Sequence, residues 1–242
     1  MINMFKGQNN LVLSRNGVKT DFKLYDPKCL SEVELNRIAQ DIAILFSEAF
    51  FRKQEVTWQI PKIKNRLREA DLVIIAYKGY DSINKQLLGY GIFEVIPHTK
   101  TDSVLFIDSI AFVQQGKGLG GLLITELAER FGFRFISERT QNPAAIKMLH
   151  RVNPRYILPL DRTYHSTSDD HALLHTLRTK VHELRNTEID ERGLCVGVYT
   201  EGKLGLFEIH FNDSRIVEIE RKLELLGLRR DRGDAIVVTA VK

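Results

Sequence analysis

The run Gln115-Gly116-Lys117-Gly118-Leu119-Gly120-Gly121 carries four glycines in the six residues from Gly116 onward. It stands between a strand-like apolar segment, Val104 to Phe112, and a helical pattern from Leu119 to Phe131. Glycines let a backbone come close to a ligand, and the opening N–H groups of a helix have no carbonyl to bond within that helix. With the positive end of the helix dipole they form a pocket for pyrophosphate, and Lys117 adds a charge of the right sign. The run lacks Gly-Lys-Ser/Thr, which excludes a P-loop. It does satisfy Gly-x-Gly-x-x-Gly at Gly116, Gly118 and Gly121, with Glu138 ending the next strand about where a ribose-binding acid would sit. A dinucleotide-binding protein is therefore a rival reading. Against it, the strand before the glycines closes a meander rather than opening a βαβ unit.

Outward from this run, the hydrophobic periods define the elements. Residues 1–20 read as a polar lead-in, and Phe22 to Tyr25 as a short strand. Ser31-Glu32-Val33-Glu34 has the form of a capping box, followed by Leu35, Ile38, Ala39, Ile42 and Phe46 at helical spacing to about Phe50. A second helix is expected from Pro61 to Glu69, with proline at its first position. Leu72 to Tyr77, Leu87 to Ile96 and Val104 to Phe112 read as three strands joined by short turns, an antiparallel meander. A helix (Leu119 to Phe131), a strand (Phe133 to Glu138) and a helix opening at Asn142-Pro143 come next. Beyond them, helices are expected over 173–184 and over 216–226, the latter ended by Gly227. A hairpin (194–199 with 204–207) and a closing strand (235–241) complete the expectation. The fold class is α/β, with a mixed, largely antiparallel central sheet flanked by helices and an α+β C-terminal extension. Its divisions are the lead-in (1–20), a core (21–160), and an extension (161–242) that completes the sheet.

The chain has 242 residues, 43% of them hydrophobic and 27% charged, which excludes fibrous and wholly disordered classes. Its formal charge is +4. Residues 1–160 hold 22 Lys and Arg against 16 Asp and Glu, so the positive charge lies with the glycine run, while residues 161–242 hold 13 against 15. That balance suits a phosphorylated ligand and falls short of a nucleic-acid binder. Cys29 and Cys195 are isolated, which excludes a disulfide scaffold. No signal peptide is seen, and no apolar run approaches the ~20 residues of a membrane span. A cytoplasmic protein without a membrane or nucleic-acid partner is expected.

The glycine run also fits Gln-x-x-Gly-x-Gly, as Gln115, Gly118 and Gly120. Here the sequence resembles the GCN5-related N-acetyltransferase (GNAT) superfamily. Ile107 to Phe112 looks like that family's fourth strand. Asn142, followed three residues later by Ala145 at a helix start, looks like its next signature. The resemblance is specific over 104–149, looser over 20–103 and absent beyond about 160. It implies acetyl-CoA or another acyl-CoA as cosubstrate, and an amine on a small molecule or peptide as acceptor. By the same resemblance, Gln115, Gly116, Lys117, Gly118, Leu119, Gly120 and Gly121 hold the pyrophosphate. Phe112 and Val113 pair with the pantetheine arm, an N–H at Ala111 or Phe112 polarises the thioester carbonyl, and Asn142 faces the arm or holds the cleft. The sequence departs from the family where a tyrosine often protonates the leaving thiolate: that position is Leu149.

An amine must be neutral to attack a thioester, so a base is required. Asp108, set in an apolar strand, is the first candidate; Glu94 is the second, and His150 could serve as acid or base. His171, His175 and His182 share a helical face, but it lies opposite the leucine stripe and reads as solvated, so no metal is expected. The expected activity is transfer of an acetyl group from acetyl-CoA directly to an amine. The alternative is a non-catalytic protein that binds acyl-CoA or uses the same scaffold for interaction. Neither the acceptor's identity nor the oligomeric state is written in these motifs.

Overall fold

Ser31 and Glu34 close a reciprocal cap: the Ser31 N–H donates to Glu34 Oε2 at 2.9 Å, and the Glu34 N–H donates to Ser31 Oγ at 3.3 Å. This fixes the start of α1 (Glu32–Ala49) where the sequence places it. The structure is a computed structural model. It describes residues 10–15, 18–49, 56–78, 86–113, 117–153, 157–160, 168–185, 187–199 and 213–242. The chain divides into two compact units, Met1–Glu94 with Ile107–Leu123 and Val95–Phe106 with Ile124–Lys242. The architecture is mixed α/β, and every pairing with a described register is antiparallel.

β1 (Asn10–Arg15), β2 (Val18–Tyr25), β3 (Leu72–Lys78), β4 (Gln86–Pro97) and β5 (Ser103–Phe112) follow one another in spatial order, and all but the end of β4 and the start of β5 belong to the first unit. Register puts Tyr25 beside Val73 and Val73 beside Ile92, and Ile75 beside Tyr90. These side chains form one sheet face, buried beneath Ile38, Ile42 and Leu45 of α1 and Ile63 and Leu67 of α2 (Val56–Glu69). Each such side chain contributes about 1.5–3 kcal/mol on burial. β3 is buried on both faces from Leu72 to Tyr77, which explains its unbroken apolar run.

Two expectations are corrected here. The stretch read as a polar lead-in contains β1, whose Leu11 and Leu13 are buried while Val12 is exposed; three apolar residues are too weak a pattern without the β2 pairing. Helix α2 starts at Val56, so Pro61 lies inside it rather than at its first position. There it forfeits the bond its N–H would have made to the Thr57 carbonyl and its ring crowds that carbonyl, a cost offset by the burial of Ile63 and Leu67.

The second unit is built around β9 (Ala235–Val241). Its spatial order is β5-β6-β9-β7, with β6 (Phe135–Thr140) on one edge of β9. The two short strands β7 (Ile157–Leu158) and β8 (Leu194–Cys195) pair with β9 as well. Phe135, Val237, Ala235 and Cys195 pack against Leu173, Leu177 and Val181 of α5 (Ser168–Arg185). Helix α4 (Pro143–Leu149) follows β6, and α6 (Ser214–Leu225) precedes β9. Gly227 ends α6 at φ +90°, and the Leu228 N–H donates to the Leu223 carbonyl at 3.1 Å. Strand β6 ends two residues later than periodicity indicates, because pairing with β9 carries it through Thr140. Of the expected hairpin, Leu194–Cys195 is β8 and residues 204–207 lie outside the described residues. Among the described residues no helix is long and apolar enough to cross a membrane.

Candidate active site

Strand β5 changes character at Asp108. Val104 to Ile107 are buried, whereas Asp108 to Phe112 are all partly accessible. The Asp108 side chain is nevertheless only 3% exposed, so the accessibility there belongs to the backbone. Its Oδ2 lies 3.9 Å from Nη1 of Arg66, a half-exposed residue of α2. The neighbouring Ser109 Oγ is 2.9 Å from the Tyr90 hydroxyl. Tyr90 is buried within the core beneath α1 and α2, and burial pushes its hydroxyl up to about 12. Asp108 thus meets a side chain of α2, and Ser109 meets a residue of the core beneath it.

The end of β5 has a defined lateral polarity. The Val113 N–H donates to the Leu88 carbonyl of β4 at 2.9 Å. A strand residue sends its N–H and C=O to the same lateral edge, and the edge alternates with each residue. Val113 therefore faces β4, and so does Ala111, whose carbonyl oxygen lies 2.6 Å from where a Cβ on Gly89 would stand. The backbone groups of Phe112 turn to the other edge. Its ring is held over Gly89, where an added Cβ would come within 2.3 Å, and meets Phe22 edge-on at 6.4 Å. The register of Phe22, Ala76 and Gly89 supplies the small residues that make this room.

Beyond β5, Gly118 adopts φ +71° and its carbonyl accepts from the Leu122 N–H at 3.2 Å. It is thus the residue that opens α3 (Leu119–Arg130), in a left-handed conformation that favours glycine. Lys117 is exposed, and Leu119 and Leu123 anchor the helix by burial. Gly120 and Gly121 in the first turn present no side chain to a ligand. Gln115 and Gly116 lie outside the described residues.

The remaining sequence candidates have other settings. Glu94 is buried and by alternation shares its face of β4 with Tyr90 and Ile92. Asn142, in the second unit, caps α4: its Oδ1 accepts from the Ala144 N–H at 2.9 Å, and its N–H donates to Thr140 Oγ1 at 3.0 Å. His150 is the C-cap of α4, with Nδ1 at 3.2 Å from the Ile146 carbonyl. Leu149 is fully buried. His171, His175 and His182 are exposed on α5, and no group of three metal-ligating side chains occurs among the described residues.

Arg66, Tyr90 and Ser109 escape motif reading because their significance is a contact across elements. Glu138 of β6 has a different character from the one its spacing gave it. It is buried, its Oε2 has no hydrogen-bond partner among the described residues, and burial pushes it up to about 8. At neutral pH it is mostly protonated, unlike a ribose-binding carboxylate.

No family model matches this chain, and no curated protein matches it. Among solved structures, 34 chains match. One, from the yellow fever mosquito Aedes aegypti, is provisionally assigned as arylalkylamine N-acetyltransferase 7; it is 10% identical, with a TM-score of 0.42, over 61% of this chain and 82% of its own. An acetyltransferase of the GNAT family from Streptococcus pneumoniae is 14% identical, with a TM-score of 0.35, over 55% of this chain and 83% of its own. The spermidine N-acetyltransferase of Vibrio cholerae, in complex with CoA and spermine, is 18% identical, with a TM-score of 0.34, over 55% of this chain and 79% of its own.

Proposed function

We propose that this protein is an acyl-CoA-dependent N-acyltransferase of the GNAT type that transfers acetyl from acetyl-CoA directly to an amine. The observation that carries the reading is the junction of β5 and α3. An accessible strand end, Asp108 to Phe112, is followed by a left-handed Gly118 at the start of a helix with two more glycines in its first turn. That arrangement suits a pyrophosphate at the helix start and a pantetheine arm along the strand edge. The side chains and backbone present fit such a cosubstrate: Lys117 supplies charge, and Phe112 turns its N–H away from β4 while Val113 is bonded to β4.

In this reading the Phe112 N–H donates to the thioester carbonyl and stabilises the charge that develops on its oxygen. Asp108 takes the proton of the attacking amine. The C–N bond forms as the C–S bond breaks, and the thiolate leaves. Asn142 holds the α4 start by capping. Binding without turnover is the second reading, favoured by Leu149, a buried residue with no proton to give.

Calorimetry with acetyl-CoA, CoA and NAD separates the ligand classes, and binding of NAD alone overturns the proposal. Gly118→Glu is expected to weaken acetyl-CoA binding at least about 100-fold relative to Gly118→Ala, since both strain the left-handed residue but only the first sets a carboxylate against the phosphates. Equal affinities for the two variants would count against the loop assignment. Release of CoA in the presence of amines distinguishes the enzyme from the binder.

A further inference from the structure

We infer that β1 is the contact strand of a symmetric homodimer, pairing antiparallel with β1 of a second copy so that two sheets join edge to edge. β1 stands at the end of the strand order, far from the β5–α3 junction proposed to hold the cosubstrate, and β2 is its one strand partner among the described residues. Its register with β2 runs unbroken from Asn10↔Lys23 to Arg15↔Val18, with no bulge to twist the outer edge away. Alternate residues of such a strand direct their N–H and C=O groups to that edge. Natural sheets blunt an exposed edge with proline, a mid-strand charge, a bulge or a very short strand. β1 is six residues long, holds no proline, and carries its one charge at its last residue, Arg15.

The strand's own sequence selects a second copy as the occupant. Asn10-Leu11-Val12-Leu13-Ser14 reads the same in both directions by chemical class: neutral polar, Leu, Val, Leu, neutral polar. Leu11 and Leu13 are 6% and 8% exposed on one face, while Val12 is 56% exposed on the other, between exposed Asn10 and Ser14. Directly opposed residues of an antiparallel pair share a face, so a pairing must keep Leu opposite a residue of the inner face. A two-fold axis at Val12 does so with like against like. Leu11 then meets the partner's Leu13, Val12 meets the partner's Val12, and Asn10 meets the partner's Ser14. An axis at Leu13 would instead oppose Leu11 to the partner's Arg15. A strand of another protein needs only a free edge; the palindrome matters to a self-pair, where one surface serves both sides.

Charge permits the same pairing. The nearest charged residues on the exposed face belong to β2, with Lys23 opposite Asn10, Asp21 opposite Val12 and Lys19 opposite Ser14. Across the axis each stands three strand spacings, about 14 Å, from its counterpart, beyond the Debye length at physiological salt. Five paired residues per copy fall at or below the small end of specific interfaces, about 1,200 Å², so the dimer is weak and reversible.

The test is sedimentation of the full chain from about 1 µM to about 1 mM, over which monomer should pass reversibly to dimer. Val12→Lys, which sets two ammonium groups against each other at the axis, should weaken association about 10-fold or more. Val33→Lys, at an equally exposed apolar position on α1, should leave association unchanged. Thermal melts of both variants at the lowest concentration should match the native chain, which verifies folding. Register is read by cross-linking in a Cys29→Ser background, since Cys29 is exposed and Cys195 buried. Val12→Cys should form an intermolecular disulfide on oxidation. Ser14→Cys should not link to itself, but should link to Asn10→Cys when the two variants are mixed. A chain that stays monomeric throughout, a dimer untouched by Val12→Lys, or Ser14→Cys linking to itself as readily as Val12→Cys would overturn the proposal.

Discussion

Asp108 and Glu138 each interrupt an apolar strand with a carboxyl group, and their surroundings differ in kind. Asp108 sits in β5 with a guanidinium 3.9 Å away and the Tyr90–Ser109 pair beside it, where the strand backbone opens to solvent. Glu138 sits in β6, buried, with an oxygen that bonds nothing among the described residues, and burial drives its protonation up to about 8. The first setting places a carboxyl group against a guanidinium beside an accessible strand end. The second keeps a proton on the acid, because ionisation in an apolar interior costs more than keeping it. The same sequence signal, an acid among aliphatics, thus marks a candidate base in one strand and a neutral core residue in the other.

The comparison breaks most decisively at Asp108. Asp108→Asn should lower kcat about 10²- to 10⁴-fold while leaving acetyl-CoA affinity within a few-fold, measured by CoA release and calorimetry. A change confined to affinity would remove Asp108 from the chemistry. Glu138→Gln should act on stability rather than turnover. The unfolded chain ionises this carboxyl from about 4.5, whereas the folded one keeps its proton to about 8. The folded state therefore holds the extra proton across that window, and native stability falls as pH rises through it before levelling. The glutamine variant should lack that slope, gaining on the native protein by a few kcal/mol at most between the two ends, as read in urea melts. Parallel curves for the two proteins would contradict a buried neutral Glu138. Gly89→Ala sharpens the β5 side of the contrast. Its Cβ would meet the Phe112 ring at 2.3 Å and the Ala111 carbonyl at 2.6 Å. The expected loss is about 1–3 kcal/mol, with weaker acetyl-CoA binding as the strand end shifts. A fully stable variant with native affinity would show that the Phe112 position is not needed.

Much of this fold was legible because its signals are local. The Ser31–Glu34 cap, the start of α3 at Gly118 and the end of α6 at Gly227 each depend on residues within one turn, and each is found where sequence places it. The stripe Leu173, Leu177 and Val181 is buried and the histidines opposite are exposed, as helical spacing requires. Strand β1 and the start of α2 were not legible, since a three-residue alternation and a mid-helix proline are overridden by tertiary packing. The candidate site divided in the same way. Asp108 and the glycines stand out as residue types in a pattern, whereas Arg66, Tyr90 and Ser109 matter only through contacts between separate elements.

The helices with their caps and the apolar strands follow from the order of residues alone, because backbone propensity and side-chain period act over three or four positions. Which carboxyl meets a guanidinium, which backbone edge of β5 turns away from β4, and how the chain's last strand enters the sheet come only with the tertiary structure. The Ser137 hydroxyl donates to the Val238 carbonyl across 101 residues of sequence. Burial and long-range pairing are properties of the surroundings a residue acquires on folding, and no local pattern encodes the dielectric or the partner it will meet.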